Sequence, residues 1–177
     1  MSAPRASIPP RRSPRSRRWK SSARCKLAGP FTYSEAPGHP GWMTWELADT
    51  TRFNAQFGPF LIKVEDGIAR VRMTPQHVHS NLSGAVHGGA LLGFADMALF
   101  AAARGFGVIE AGTAVTLDLS SQFIGRAETG RPIEARVELL RETGRLLFLR
   151  GLIVQPGADG EEMVMSFAAT IRKPGAR

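Results

Sequence analysis

Apolar side chains recur at every second position in the C-terminal half of the chain. Val115, Leu117, Leu119 and Phe123 alternate with Thr116, Asp118, Ser120 and Gln122. Ile133, Ala135, Val137 and Leu139 alternate with Glu134, Arg136 and Glu138. Met163, Met165, Phe167, Ala169 and Ile171 alternate with Val164, Ser166, Ala168 and Thr170. Period-two patterning predicts strands with one buried face. Leu146 to Val154 is more continuously apolar and reads as a central strand. Turn signals part these runs at Glu128-Thr129-Gly130, Glu142-Thr143-Gly144 and Pro156-Gly157-Ala158-Asp159-Gly160.

Upstream, Phe60–Val64 and Ile68–Met73 are two more strand-like runs, joined by the hairpin signal Glu65-Asp66-Gly67. Thr74 to Ala85 is polar and irregular. Val86 to Arg104 is the one strong helix. It is apolar on nearly every side, so the pattern predicts burial all round, with Gly105 and Gly107 ending it. Trp42 to Phe57 reads as a lead-in with a short helix whose inner side is Leu47, Phe53 and Phe57, stopped by Gly58-Pro59. Two strands, one helix and a four-stranded meander imply an α+β fold, an antiparallel sheet curled about a central helix. The expected boundaries are a basic tail over 1–30, a lead-in over 31–58 and the folded domain over 59–173.

Charge changes the picture once it is located. The formal net charge is +8, but nine of the 23 Lys and Arg fall in residues 1–26, which hold no acid. The remaining 14 face 15 Asp and Glu, so the body is near neutral. A fold that grips nucleic acid through its own face should be basic there, so no specific nucleic-acid partner is expected. The tail is rich in Arg, Ser and Pro and is expected to be disordered. It reads as an extension without a role, with a phosphate-binding arm or an organellar targeting segment as alternatives. Cys25 is the single cysteine, which excludes a disulfide within the chain and fits a reducing, cytoplasmic setting. The longest apolar stretch, Gly88 to Ala103, carries Asp96 inside it, so no membrane span is expected.

The chemistry concentrates at the start and middle of the helix. His87-Gly88-Gly89 opens it. A helix N-terminus presents unpaired N–H groups, and glycines let a ligand approach the backbone. This suits a developing oxyanion, and tight helix–sheet packing explains the same glycines equally well. Asp96 sits within an apolar helix, where an unpaired carboxylate costs several kcal/mol. Either it is functional or it bonds a neighbouring backbone or strand group. Gly88, Gly89, Leu92, Gly93, Leu99 and Phe100 share its helix face, and none can pair with it. Gly88 and Asp96 lie eight residues apart, about 12 Å along one helix. One chain cannot bring both to one reacting group. Two antiparallel copies of the helix in a symmetric dimer could, giving two equivalent sites.

The segment Asn81…Gly84…Val86-His87-Gly88-Gly89…Asp96 resembles the signature of hotdog-fold acyl-CoA thioesterases of the phenylacetate-pathway type. Thr113 to Leu119 and Gly130 to Ala135 are similar to that family's strands, and the likeness spans about residues 50–172. The resemblance implies a hotdog fold, a homodimer or a dimer of dimers, and an acyl-CoA substrate cleaved to a carboxylic acid and CoA without a cofactor. It implies that Gly88 donates its N–H to the thioester oxygen and that His87 shapes the loop. Asn81 would polarise the carbonyl or orient water. Asp96 of the partner chain would act as base or nucleophile, and Thr116 would supply a hydroxyl that orients water. Gly84 and Gly89 become substrate-binding candidates.

Other features weigh less. His77-Val78-His79 has metal-like spacing, yet no Cys, Asp or Glu lies near, so no metal site is expected. Trp42 and Trp45 read as packing or dimer-edge residues, with contact to an acyl group as the alternative. Arg126, Arg131 and Arg145 flank turns as solvated residues or as holders of CoA phosphates. The competing functions are a non-catalytic acyl-CoA-binding module and a hotdog dehydratase or hydratase using His87.

Overall fold

The computed structural model describes residues 31–109, 114–157 and 160–174. The basic tail, Thr113 and the tip at Ala158-Asp159 lie outside the described residues. Eight strands and one long helix follow in the order β1 (Phe31–Glu35), β2 (Met43–Leu47), β3 (Phe60–Glu65), β4 (Ile68–Met73), α1 (Gly88–Gly105), β5 (Val115–Phe123), β6 (Ile133–Glu142), β7 (Leu146–Gly157) and β8 (Gly160–Arg172). One sheet holds them all in the order β1-β2-β3-β4-β6-β7-β8-β5, and every neighbouring pair is antiparallel. This is the sheet-around-a-helix architecture that the pattern predicts, but the last four strands are not a simple meander, because β5 crosses over to pair with β8 and not with its sequence neighbour β6.

The β3–β4 hairpin turns where expected. Asp66 and Gly67 both take positive φ, 51° and 79°, the geometry a two-residue turn of matching twist requires. β7 does lie inside the sheet, between β6 and β8. Its inward Leu147, Leu149 and Ile153 are fully buried. They join Val71, Val137, Met165 and Ile171 against α1, whose sheet-facing side carries Phe94, Ala95, Ala98, Leu99, Ala101 and Ala102. The alanines let the helix sit close on the sheet.

The expected lead-in over 31–58 needs correction. It contains β1 and β2, which pair with each other and then with β3, so the sheet begins at Phe31 and not at Pro59. The short helix is only a 3-10 turn at Phe53–Gln56. Aromatic stacking anchors the added hairpin: Trp45 lies 4.5 Å from the ring of Phe31 and 5.7 Å from that of Phe60. Phe57 is buried as expected, whereas Phe53 is exposed.

Two strands depart from simple alternation, and bulges are the cause. In β8 the register shifts opposite Ile153/Val154, so Val164 turns in and Met163 turns out to solvent. In β5 the register shifts between Thr116 and Asp118. Leu117 is the extra residue and is 53% exposed. Thr116 therefore stands opposite the buried Ile171, on the same face as Leu119 and Phe123.

α1 is also less enclosed than its composition suggests. Gly89, Leu92, Gly93, Asp96 and Phe100 form a stripe at helical spacing that the sheet does not cover. Asp96 is half-buried, not buried, because the stripe faces away from the sheet.

Candidate active site

The loop before α1 is built around one side chain. Asn81 Oδ1 accepts the backbone N–H of Ser83 at 2.9 Å and of Ala85 at 3.1 Å, and the Ser83 hydroxyl at 2.8 Å. Asn81 N–H closes the loop on the Ala85 carbonyl at 2.8 Å. Gly84 turns within it at φ 77°, a conformation that favours glycine. These contacts fix the amide: its oxygen is committed to the loop, and its NH2 is the outward donor. Asn81 so held can donate to a carbonyl. It cannot also accept from a water through Oδ1.

His87 caps the helix. Its Nδ1 accepts the Gly89 N–H at 2.9 Å, and its own N–H donates to the His79 carbonyl at 2.8 Å. Gly89 is therefore a capped position, and a Cβ there would lie 3.0 Å from His87 Nδ1. The N–H of Gly88 has no partner among the described residues. Of these two glycines, only Gly88 keeps a donor for a ligand. Its exposed side is flanked by Phe123, whose Cζ would meet a Cβ at 3.3 Å. Gly93 answers to packing instead, because a Cβ there would come within 2.4 Å of Phe57 Cζ.

Asp96 lies two turns further on. Thr116 Oγ1 donates to Asp96 Oδ1 at 2.6 Å. The β5 bulge makes this contact possible, since regular alternation would point Leu117 at the helix. No Lys, Arg or His pairs with Asp96 among the described residues. The carboxylate borders a cavity of about 230 Å³ that also takes in Trp45, Asn54, Phe100 and Arg104. His87 and Gly89 line a different cavity, of about 250 Å³, with Phe57, Val78 and His79. Within one chain the two ends of the motif face separate spaces.

The remaining candidates fall outside this constellation. His79 is buried, with Nδ1 accepting the Gln76 N–H and Nε2 donating to the Gln56 carbonyl, each at 2.8 Å. Neither nitrogen is left for a ligand. Among the described residues no group of three His, Cys, Asp or Glu could hold a metal ion. Arg126 braces the Asn81 loop through the Ser83 carbonyl at 2.8 Å. Arg131 binds Glu128 at 2.8 Å and the Pro156 carbonyl. Trp42 carries Arg72 over its ring at 4.1 Å.

Arg104 and Trp45 were not legible as neighbours of Asp96. Arg104 lies 4.7 Å above the Tyr33 ring. Burial pushes the Tyr33 phenol up, and the guanidinium pulls it partly back. The one available signal was spacing, since Arg104 follows Asp96 by eight residues on the same helix.

A curved antiparallel sheet wrapped on one long central helix defines the hotdog class. Residues 83–159 match the family model described as the thioesterase superfamily. Among solved structures, TT0310 protein from Thermus thermophilus is 28% identical, covering 64% of this chain and 90% of that one at TM-score 0.51. A mutant of the phenylacetic acid degradation protein PaaI from the same organism is 25% identical, covering 64% and 91% at TM-score 0.52. A hypothetical thioesterase from Streptococcus pneumoniae, solved with coenzyme A, is 20% identical and shares the fold, covering 70% and 91% at TM-score 0.58. No curated protein matches the chain. The fold is the hotdog fold. Among the described residues no helix is long and apolar enough to cross a membrane.

Proposed function

We propose that this protein hydrolyses an acyl-CoA thioester to a carboxylic acid and free CoA, in sites completed by a second copy of the chain. The observation that carries the reading is Asp96: a carboxylate without a cation among the described residues, held by Thr116 at 2.6 Å at the wall of a cavity. Thr116 occupies Oδ1 and leaves Oδ2 to act.

The thioester carbonyl accepts from the Gly88 N–H and the Asn81 NH2 of one chain. Asp96 of the other chain takes a proton from water as that water attacks, or attacks the carbonyl itself and is then released by water. Negative charge gathers on the carbonyl oxygen and rests on the two donors. Collapse expels the CoA thiolate, which leaves protonated. Overall, one water is consumed and one C–S bond is broken.

The separate cavities at His87 and Asp96 support assembly from two chains. β5 supports it too. Among the described residues its one strand neighbour is β8, and it exposes Leu117 and Phe123, the latter 52% exposed. An unprotected apolar edge suits a second copy, and a dimer of dimers can build on it. Dehydratase chemistry through His87 fits less well, because its Nδ1 is committed to the helix cap.

Thiol release measured across a panel of acyl-CoAs tests the reading, with Asp96→Asn beside the wild type. The expected result is turnover by the wild type and a loss of about a hundredfold or more in the variant. Absence of CoA release from every substrate would overturn the hydrolase reading in favour of a binding module. Undiminished turnover by Asp96→Asn would remove Asp96 from the mechanism.

A further inference from the structure

The cavity beside Asp96 has apolar walls from Phe31, Trp45, Met97, Phe100 and Ile109. Two of its lining residues also carry buried donors without a partner among the described residues. Trp45 is 4% exposed, and its indole Nε1–H has no acceptor. The Nε–H of Arg104 is equally buried and equally unpaired. Neither residue finds a partner for that atom among the described residues, and Arg104 forms no ion pair among them. A basic side chain in the last turn of a helix ordinarily answers the helix dipole from the surface. That does not account for an Nε–H placed in the interior. The Tyr33 ring attracts the guanidinium face but offers Nε–H no acceptor.

Buried donors are nearly always paired, and a buried cation seeks a counter-charge. A carboxylate supplies both, since it accepts two N–H groups side by side from a guanidinium. Asp96 borders the same cavity but bonds Thr116. Arg104 follows it by eight residues, roughly 12 Å along α1 before the long arginine side chain is counted. The cavity lining thus combines a carboxylate, a cation and an apolar majority.

We propose that this cavity receives acyl groups ending in a carboxylate, so that the preferred substrates are mono-CoA thioesters of dicarboxylic acids. Arg104 and the Trp45 indole hold the distal carboxylate while the thioester lies at Asp96. The proposal rests on Asp96 being the reacting end.

The test compares adipyl-CoA with hexanoyl-CoA, which share a carbon number and differ in the distal carboxylate. The wild type should favour adipyl-CoA in kcat/KM by about ten- to a hundredfold. Arg104→Met should erase that ratio. Trp45→Phe, which keeps the aromatic wall, should reduce it and serves if Arg104→Met does not fold. Equal use of the two substrates by the wild type, or a ratio unchanged in a folded Arg104→Met, would overturn the proposal. If neither thioester is hydrolysed, the wider acyl-CoA panel decides the hydrolase reading separately. Calorimetric titration of the two intact thioesters then decides the cavity: tighter adipyl-CoA supports it, and equal affinities overturn it.

Discussion

Thr116 shows how much one hydroxyl depends on local backbone. Its contact with Asp96 is short, and it leaves one carboxylate oxygen free. Thr116→Val keeps the shape and removes the donor. Thiol release should fall about tenfold or more, and Thr116→Ser should restore most of it. Gly88 allows a cleaner substitution. Its N–H is unpaired, it occupies the first helical position, and His87 before it is extended at φ −67°, ψ 140°. Proline is tolerated at that position and after such a residue. Gly88→Pro should therefore remove the oxyanion donor and leave the helix in place. The expected loss in kcat is about 10²–10³-fold, with the thermal midpoint little changed. A large drop in the midpoint would show that the ring disturbs packing at Phe123 instead. Asp96 and Gly88 were legible in the sequence because their residue types are out of place in an apolar helix. The facing of Thr116 was not, because alternation puts Leu117 at the helix and only the bulge reverses that.

At the scale of elements, the outer face of β4 and β6 carries a buried carboxylate. Glu134 is 3% exposed, and Arg70, Arg72 and Arg136 all bind it. Burial opposes its charge, but hydrogen bonds from Arg70, Arg136 and Arg72 outweigh that and hold its pKa below the usual glutamate value. A carboxylate lowered on folding stabilises the native state above its unfolded pKa, about 4.3. That contribution is lost as pH falls through the lower folded value. Glu134→Gln should cost about 2–3 kcal/mol at neutral pH, because three arginines lose their common partner. It should also flatten the acid limb of stability, as read from urea unfolding at pH 7 and near pH 3. β6 was legible from period-two patterning, the β3–β4 hairpin from its Glu65-Asp66-Gly67 signal, and α1 from its apolar run. β1 and β2 were not. Each is five residues long, and they flank a turn containing Pro37 and Pro40, so the period is too brief to stand out. What secures them is stacking on Phe60, a contact between distant positions.

For the whole molecule, the decisive question is which chains build one site. The sequence raised it through helix geometry alone, and the structure adds separate cavities at the two ends of the motif. Local pattern could not supply the sheet order that leaves β5 on an edge, because strand order depends on contacts far apart in the chain. Mixing two dead variants answers the question. Gly88→Pro keeps Asp96 and lacks the donor; Asp96→Asn keeps the donor and lacks the carboxylate. In a mixed symmetric dimer, one shared site pairs the intact Gly88 of one chain with the intact Asp96 of the other. The second site carries both defects. Random assembly makes half the dimers mixed and half their sites whole, so thiol release should return to about a quarter of the wild-type level. Sites built within one chain would leave every site defective, and co-expression would recover nothing. The amount of mixed dimer, measured with two affinity tags, separates failed chemistry from failed mixing.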